Sequence, residues 1–222
     1  MIPIVILFAA LIIAGIIWSA LAAKKRREEL STLAARLNLR FSEADNEAIA
    51  GRFEFLDALA QGSNRYAFNV LAGQYQNNEV LVFDFHYETH STDSKGNQQT
   101  NHHYFSFFIL KLPQRFPELR ITKEGFLSKI AQAFGYDDID FESAEFSRKF
   151  CVRSKDKKFA YDVCNAQMME FFLGNPDLSI EVERDSLALA FDSTLSAAEI
   201  EMNLQRLLEI RARLPEYLFT KV

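Results

Sequence analysis

The sequence predicts an α+β chain: an N-terminal transmembrane helix, then one mostly antiparallel β domain with packed helices, closed by a C-terminal amphipathic helix. Three observations carry that expectation. Residues Ile2 to Ala23 are uncharged, with Ser19 as their one polar side chain. From Tyr66 onward, apolar and polar residues alternate with the period of two that strands impose. Near the C-terminus, helical spacing returns behind the capping signal Ser196-Ala197-Ala198-Glu199.

The apolar run comes first. About 22 residues at 1.5 Å rise cover about 33 Å, enough for a hydrocarbon core of about 30 Å. Trp18 lies near one end, where indole favours the membrane boundary, and "KKRR" follows. Cations on one flank only place a single-pass protein in the cell inner (plasma) membrane, N-terminus outside and C-terminal domain cytoplasmic. Lys24, Lys25, Arg26, Arg27 and Trp18 are then membrane-surface residues, and the lipid bilayer with its anionic headgroups is a partner. The alternative is a cleaved signal peptide, because Ala20-Leu21-Ala22 resembles a cleavage site. A basic n-region is missing, however, and the run exceeds an h-region of about 7–15 residues.

Three segments follow from this: an anchor over 1–23, a juxtamembrane helical stalk over 24–40, and a single globular domain over 41–222. In the stalk Leu30, Leu33, Ala34 and Leu37 recur at helical spacing, and Asn38 is a stop. Residues 41–65 carry little periodic signal, beyond Phe53, Phe55 and Leu56 as packing residues. "YAFNVLAGQY" and "VLVFDFHYET" read as strands around Asn77-Asn78. Leu81, Phe83, Phe85 and Tyr87 share the face expected in the core, and Val80, Val82, Asp84, His86, Glu88 and His90 share the other. "YFSFFILKL" is the next strand. "LRITKEGFLSKIAQAFGY" reads as a short strand and a helix with Phe126, Ile130 and Phe134 on one stripe and Gly135 after its end. "DIDFE" and "KFCVRS" are extended, and "KFAYDVCNAQMMEFFLGNP" is one or two short helices. "LSIEVERDSLALAF" reads as a hairpin around Arg184-Asp185. Ile200, Leu204, Leu207, Leu208 and Leu214 form the stripe of the last helix. Strands in series before a closing helix suit a sandwich or roll, as in pleckstrin-homology modules.

Composition narrows function by exclusion. A net charge of −5 and a pI near 5.5 point away from nucleic acid. Cys151 and Cys164 are too few for a disulfide scaffold and read as buried thiols. No phosphate-cradling glycine loop and no nucleophile elbow occurs, so no catalytic residue and no cofactor is assigned. Asp138, Asp140 and Glu142 read as a solvated strand face.

All four histidines lie between Phe85 and Phe105. On a strand, His86 and His90 stand about 13 Å apart and cannot share an ion. A hairpin turning near Ser94-Lys95-Gly96 sets His86 opposite His102 or His103, with Asp84 and Glu88 along the same face. These five, His86, His102, His103, Asp84 and Glu88, are the candidate metal ligands. The competing expectation, a polar hairpin rim, is the favoured one, since a one-residue slip turns His102 to the other face.

The stretch from Asp138 to Phe172 resembles a family of bacterial membrane-anchored proteins of unknown function. Its pattern E-S-x-E-F-x-x-x-F-x-V, an Asp, and a methionine-rich helix is matched at Glu142, Ser143, Glu145, Phe146, Phe150, Val152, Asp156, Ala160, Tyr161, Met168 and Met169. The resemblance implies no activity, and it does not include the histidines. Read physically, Phe146, Phe150, Val152, Phe159 and Tyr161 lock extended pieces onto the core, and Glu142 and Ser143 suit the start of a short helix. The expected function is a membrane-anchored interaction module for an unknown protein partner or headgroup. The alternative is a membrane-tethered metal-dependent enzyme using the His-rich hairpin.

Overall fold

The computed structural model describes the backbone of residues 2–93, 96–123 and 138–220, with side chains from Leu11 onward. The helix α1 (Ile2–Arg36) opens the chain. The expected transmembrane span is overturned: among the described residues, no helix is long and apolar enough to cross a membrane. The single-pass topology and inner-membrane localisation fall with it. Leu11, Ile16 and Trp18 are exposed, whereas Leu30, Leu33 and Ala34, the stripe read as a stalk, are buried in the core.

Then follow β1 (Arg40–Ser42), α2 (Glu47–Arg52), α3 (Asp57–Ala60), β2 (Ser63–Tyr75), β3 (Asn78–Thr92) and β4 (Gln98–Lys123). After them come α4 (Ala144–Lys149), β5 (Phe150–Ser154), α5 (Lys157–Val163), α6 (Ala166–Gly174), β6 (Ile180–Ala190) and α7 (Ala197–Arg213). Among the described residues the strands form one six-stranded sheet, ordered β1-β2-β3-β4-β5 with β6 also on β4, and every pairing is antiparallel. The α+β, antiparallel expectation therefore agrees with the fold. The sandwich or roll does not, because one sheet has helices on both faces.

Both faces of β3 are consequently buried. Phe83 and Phe85 pack with Phe53, Leu56 and Leu59 from the α2–α3 segment. Val80 and Val82 pack with Leu30 and Leu33 of α1 and Leu204 and Leu207 of α7. The alternation identified one core face, but helices cover the second as well.

Two strands are longer than expected. β4 runs unbroken from Gln98 to Lys123, carrying Pro113 and Pro117 where its ladder to β6 shifts register. Prolines lack an N–H, so they sit where no ladder bond is required. β6 is one strand, not a hairpin: its halves pair with the same β4, and Arg184 (φ 53°) marks a bulge between them. The β2–β3 turn lies at Gln76-Asn77, both left-handed, one residue before the expected place.

The family-like motif builds structure. Ser143 caps α4 by accepting from the Phe146 amide at 3.3 Å, and Asp156 caps α5 by accepting from Phe159 at 3.0 Å. Phe146, Phe150 and Val152 are buried, with the first two rings 5.2 Å apart. Tyr161 departs from expectation by being exposed. Helix α7 has the expected capping box at Ser196 and Glu199. The stripe of Phe126, Ile130 and Phe134 and the stop at Gly135 lie outside the described residues, as do Ser94 and Lys95.

Candidate functional site

Two bulges in β2 shape the polar side of the sheet. Register shifts between Ser63 and Tyr66 and between Phe68 and Leu71 enclose Asn64 (φ 49°) and Asn69 (φ 51°). Asparagine tolerates the left-handed region, and a bulge re-aims the groups beside it. Each asparagine serves one polar cluster on β3.

Asn69 serves Asp84. The Asp84 carboxylate is buried and accepts from Arg26 Nε at 2.8 Å, Arg26 Nη2 at 2.7 Å, Asn69 Nδ2 at 2.9 Å and Ser106 Oγ at 2.9 Å. Arg26 also donates to the Leu195 carbonyl at 2.7 Å, and Ser106 Oγ accepts from the Leu195 amide. Four donors fill the carboxylate, so Asp84 does not join the histidines as a metal ligand. Arg26 was expected at a membrane surface; it instead ties α1 to the sheet and to the segment entering α7. The neighbouring cations also meet carboxylates: Lys24 faces Glu28, Lys25 faces Glu29 and Arg27 faces Glu43.

Asn64 serves the histidines. Its carbonyl accepts from His86 Nδ1 at 3.0 Å, and its side-chain amide donates to Glu88 Oε1 at 2.6 Å. Register pairs His86 with Tyr104 and Glu88 with His102, not His86 with His102. His86 and His102 are diagonal neighbours on one face, Nε2 to Nδ1 3.1 Å apart, and His102 Nδ1 lies 3.4 Å from Glu88 Oε1. His86 is buried and His102 half open, with Tyr66 and Tyr104 flanking at 4.6 and 4.8 Å from the His86 ring. The bond from Asn64, with the nearby His102, His86 and His90, holds the Glu88 carboxyl below its usual range.

The other two histidines stay apart. His103 points to the opposite face, stacked on Tyr87 at 4.5 Å and bonded to Thr89 Oγ1 at 2.8 Å. His90 engages Ser63 Oγ and Thr100 Oγ1. Cys151 and Cys164 are buried thiols; Cys151 donates to Asp138 Oδ1 at 2.7 Å, and burial pushes Cys164 up to about 12. Asp138 pairs with Arg153 at 2.7 Å and lies outside the strands.

A second charged cluster is structural. Arg120 of β4 meets Glu181 across the ladder at 3.2 Å, Glu118 at 2.9 Å, and Asp57. Glu181 also accepts from the Asp57 amide at the start of α3, joining that helix to the sheet. Burial pushes Glu181 up to about 8; Arg120 opposes this, while Glu183 and Glu118 add to it.

On the face away from His86, a cleft of about 590 Å³ lies between the end of α2, the β2–β3 hairpin and the bulges of β4 and β6. Leu81 and Ile109 form its floor, with Phe53 and Phe55 beside them. Arg40, Arg52, Lys111, Arg115 and Arg184 stand around it, against the carboxylates Glu79 and Asp185. Arg184 stacks on Phe55 at 4.2 Å and Arg52 on Phe53 at 4.9 Å, while Lys111 pairs with Glu79 at 3.4 Å. Sequence reasoning missed this site, because its cations are scattered over β1, α2, β4 and β6 and only the bulged sheet gathers them.

No family model and no curated protein matches the chain. Among solved structures it is similar to the mycobacterial trehalose monomycolate transport factor A, TtfA, with a TM-score of 0.59 and 14% sequence identity. The similarity covers 85% of this chain and 96% of that one, and it is a likeness of fold.

Proposed function

We propose that this chain is a non-catalytic interaction module that holds an acidic peptide segment of a protein partner in the basic cleft. The observation that carries this reading is a local reversal of charge. A protein of net charge −5 gathers Arg40, Arg52, Lys111, Arg115 and Arg184 around one apolar floor. Arg40 and Arg115 have no ion pair among the described residues, so their charge is available to a ligand. Cations over a concave apolar surface favour a protruding segment that brings carboxylates and a few apolar side chains. A flat bilayer surface fits a concavity less well. The fold's likeness to a protein named a transport factor supports an accessory role over a catalytic one.

A photo-crosslinking residue in place of Gln74, an exposed position on the cleft wall, tests this in intact cells. The expected product joins the module to one partner through a segment rich in Asp and Glu, and it disappears in the double variant Arg115→Glu/Arg184→Glu. Products unchanged by that charge reversal would refute the reading. So would binding to vesicles of phosphatidylglycerol and phosphatidylcholine that the same variant abolishes, since the ligand would then be a lipid surface.

A further inference from the structure

The His86–Glu88–His102 cluster stands on the opposite face of the sheet from the cleft. Among the described residues it is the one group of three potential metal ligands, with all three ligand atoms within 4.8 Å of one another. A backbone carbonyl only accepts, so His86 Nδ1, 3.0 Å from the Asn64 oxygen, carries the ring proton and leaves a lone pair on Nε2. That lone pair faces His102 Nδ1, which in turn faces the Glu88 carboxylate. Three basic atoms therefore converge on one small volume, and the metal-free arrangement needs only one proton among them, on His102 Nδ1.

We propose that this volume binds a divalent transition-metal ion of the zinc class, held by His86 Nε2, His102 Nδ1 and a Glu88 carboxylate oxygen. The spacing fits. Ligands about 2.0–2.1 Å from a tetrahedral ion are separated by about 3.3 Å, against the 3.1 and 3.4 Å found here. Glu88 closes the third side by a small rotation of its stem. The surroundings fit as well. Metal-bound histidines commonly give their second N–H to a backbone carbonyl, which fixes ring and tautomer, and His86 does this with Asn64. Asn64 also orients the carboxylate through its own amide. When the ion replaces the shared proton, His102 moves its proton to Nε2, at a ring that is half open to water. Two imidazoles and one carboxylate, without thiolate, suit zinc better than magnesium or calcium, which prefer all-oxygen sites. Water fills the remaining positions from the His102 side. The ion then pins β3, β4 and the Asn64 bulge of β2 together at one end of the sheet.

Titration calorimetry of the purified full chain, stripped with chelator, tests this with zinc chloride. Cobalt(II) absorption provides a second readout. The exposed ligand is changed first, as His102→Ala, because altering buried His86 risks the fold. His103→Ala, on the opposite face, is the control. The expected result is one zinc per chain, weakened tenfold or more by His102→Ala and by Glu88→Gln and unchanged by His103→Ala. Cobalt should give the intense visible bands of a four- or five-coordinate site in the parent protein, absent from His102→Ala. Binding far below one equivalent in the parent protein would overturn the assignment. So would equal binding by His102→Ala, or an equal loss in His103→Ala.

Discussion

Arg26 grips Asp84 with two hydrogen bonds of 2.7 and 2.8 Å, across 58 residues of chain, and thereby locks the C-terminal half of α1 onto the centre of the sheet. Three further groups contact the pair, Asn69, Ser106 and the Leu195 carbonyl, and the Leu195 amide in turn donates to Ser106. Removing one partner of such a pair leaves a buried charge uncompensated, at a cost of about 3–5 kcal/mol. Arg26 keeps 22% side-chain exposure, so water offsets part of that. Arg26→Ala should lower the unfolding free energy by about 3 kcal/mol, measured by urea denaturation, while Lys25→Ala should change it by less than about 0.5 kcal/mol. Equal effects of the two variants would show that α1 is not held by this pair.

Glu181 makes stability depend on pH in a direction opposite to that of most carboxylates. Its folded pKa is raised to about 8 from an ordinary 4.5. Between those values the folded state holds a proton that the unfolded state has lost, so stability falls as pH rises through that window. It is fully retained below the unfolded value and levels off above the folded one. One proton sets a ceiling of about 1.4 kcal/mol per pH unit. Glu181→Gln should flatten the fall between about pH 5 and pH 8 in thermal unfolding curves. An undiminished slope in the variant would assign the effect to another group.

Gly62 closes the turn into β2 with φ 63°, directly over β3. A Cβ added there would collide with the Glu88 carbonyl oxygen and the Tyr87 ring. Gly62→Ala combines a left-handed backbone penalty of about 1 kcal/mol with that collision. It should destabilise the protein by about 2 kcal/mol or more and shift the amide resonances of Tyr87 and Glu88. Wild-type stability would mean that the Asn64 bulge is not fixed by this contact.

Cys164 should be chemically silent. Its thiol is buried and pushed up to about 12, so almost no thiolate exists at neutral pH. Iodoacetamide at pH 7.5 should label it only at the rate of unfolding, with mass spectrometry as the readout. Rapid labelling under native conditions would contradict the packing of α5 against the core.

What was legible in the sequence follows from the range of the forces involved. Local signals were accurate: the capping box at Ser196, the period-two faces of β3, and the helix start at Ser143 depend on neighbours within a few residues. Long-range pairings were not. Arg26 looked like a membrane flank because its partner, Asp84, lies far along the chain, and Arg184-Asp185 looked like a turn because a bulge uses the same left-handed residue. The apolar start of α1 suggested a membrane span by its composition, yet among the described residues no helix is long and apolar enough to cross a membrane. The histidine hairpin was expected, and two of its four histidines were brought to one point with Glu88 by an asparagine bulge that no periodicity reveals.

The most direct measurement of the central claim is a map of backbone amide shifts while the full chain is titrated with a peptide rich in Glu and Leu. The cleft reading predicts that shifts concentrate at Gly73, Lys111 and Ser186 and vanish on raising salt from about 0.05 to 0.5 M, where charges are screened within about 4 Å. They should also vanish in Arg115→Glu/Arg184→Glu. Shifts gathered around His86 instead, or persisting in that double variant, would contradict it.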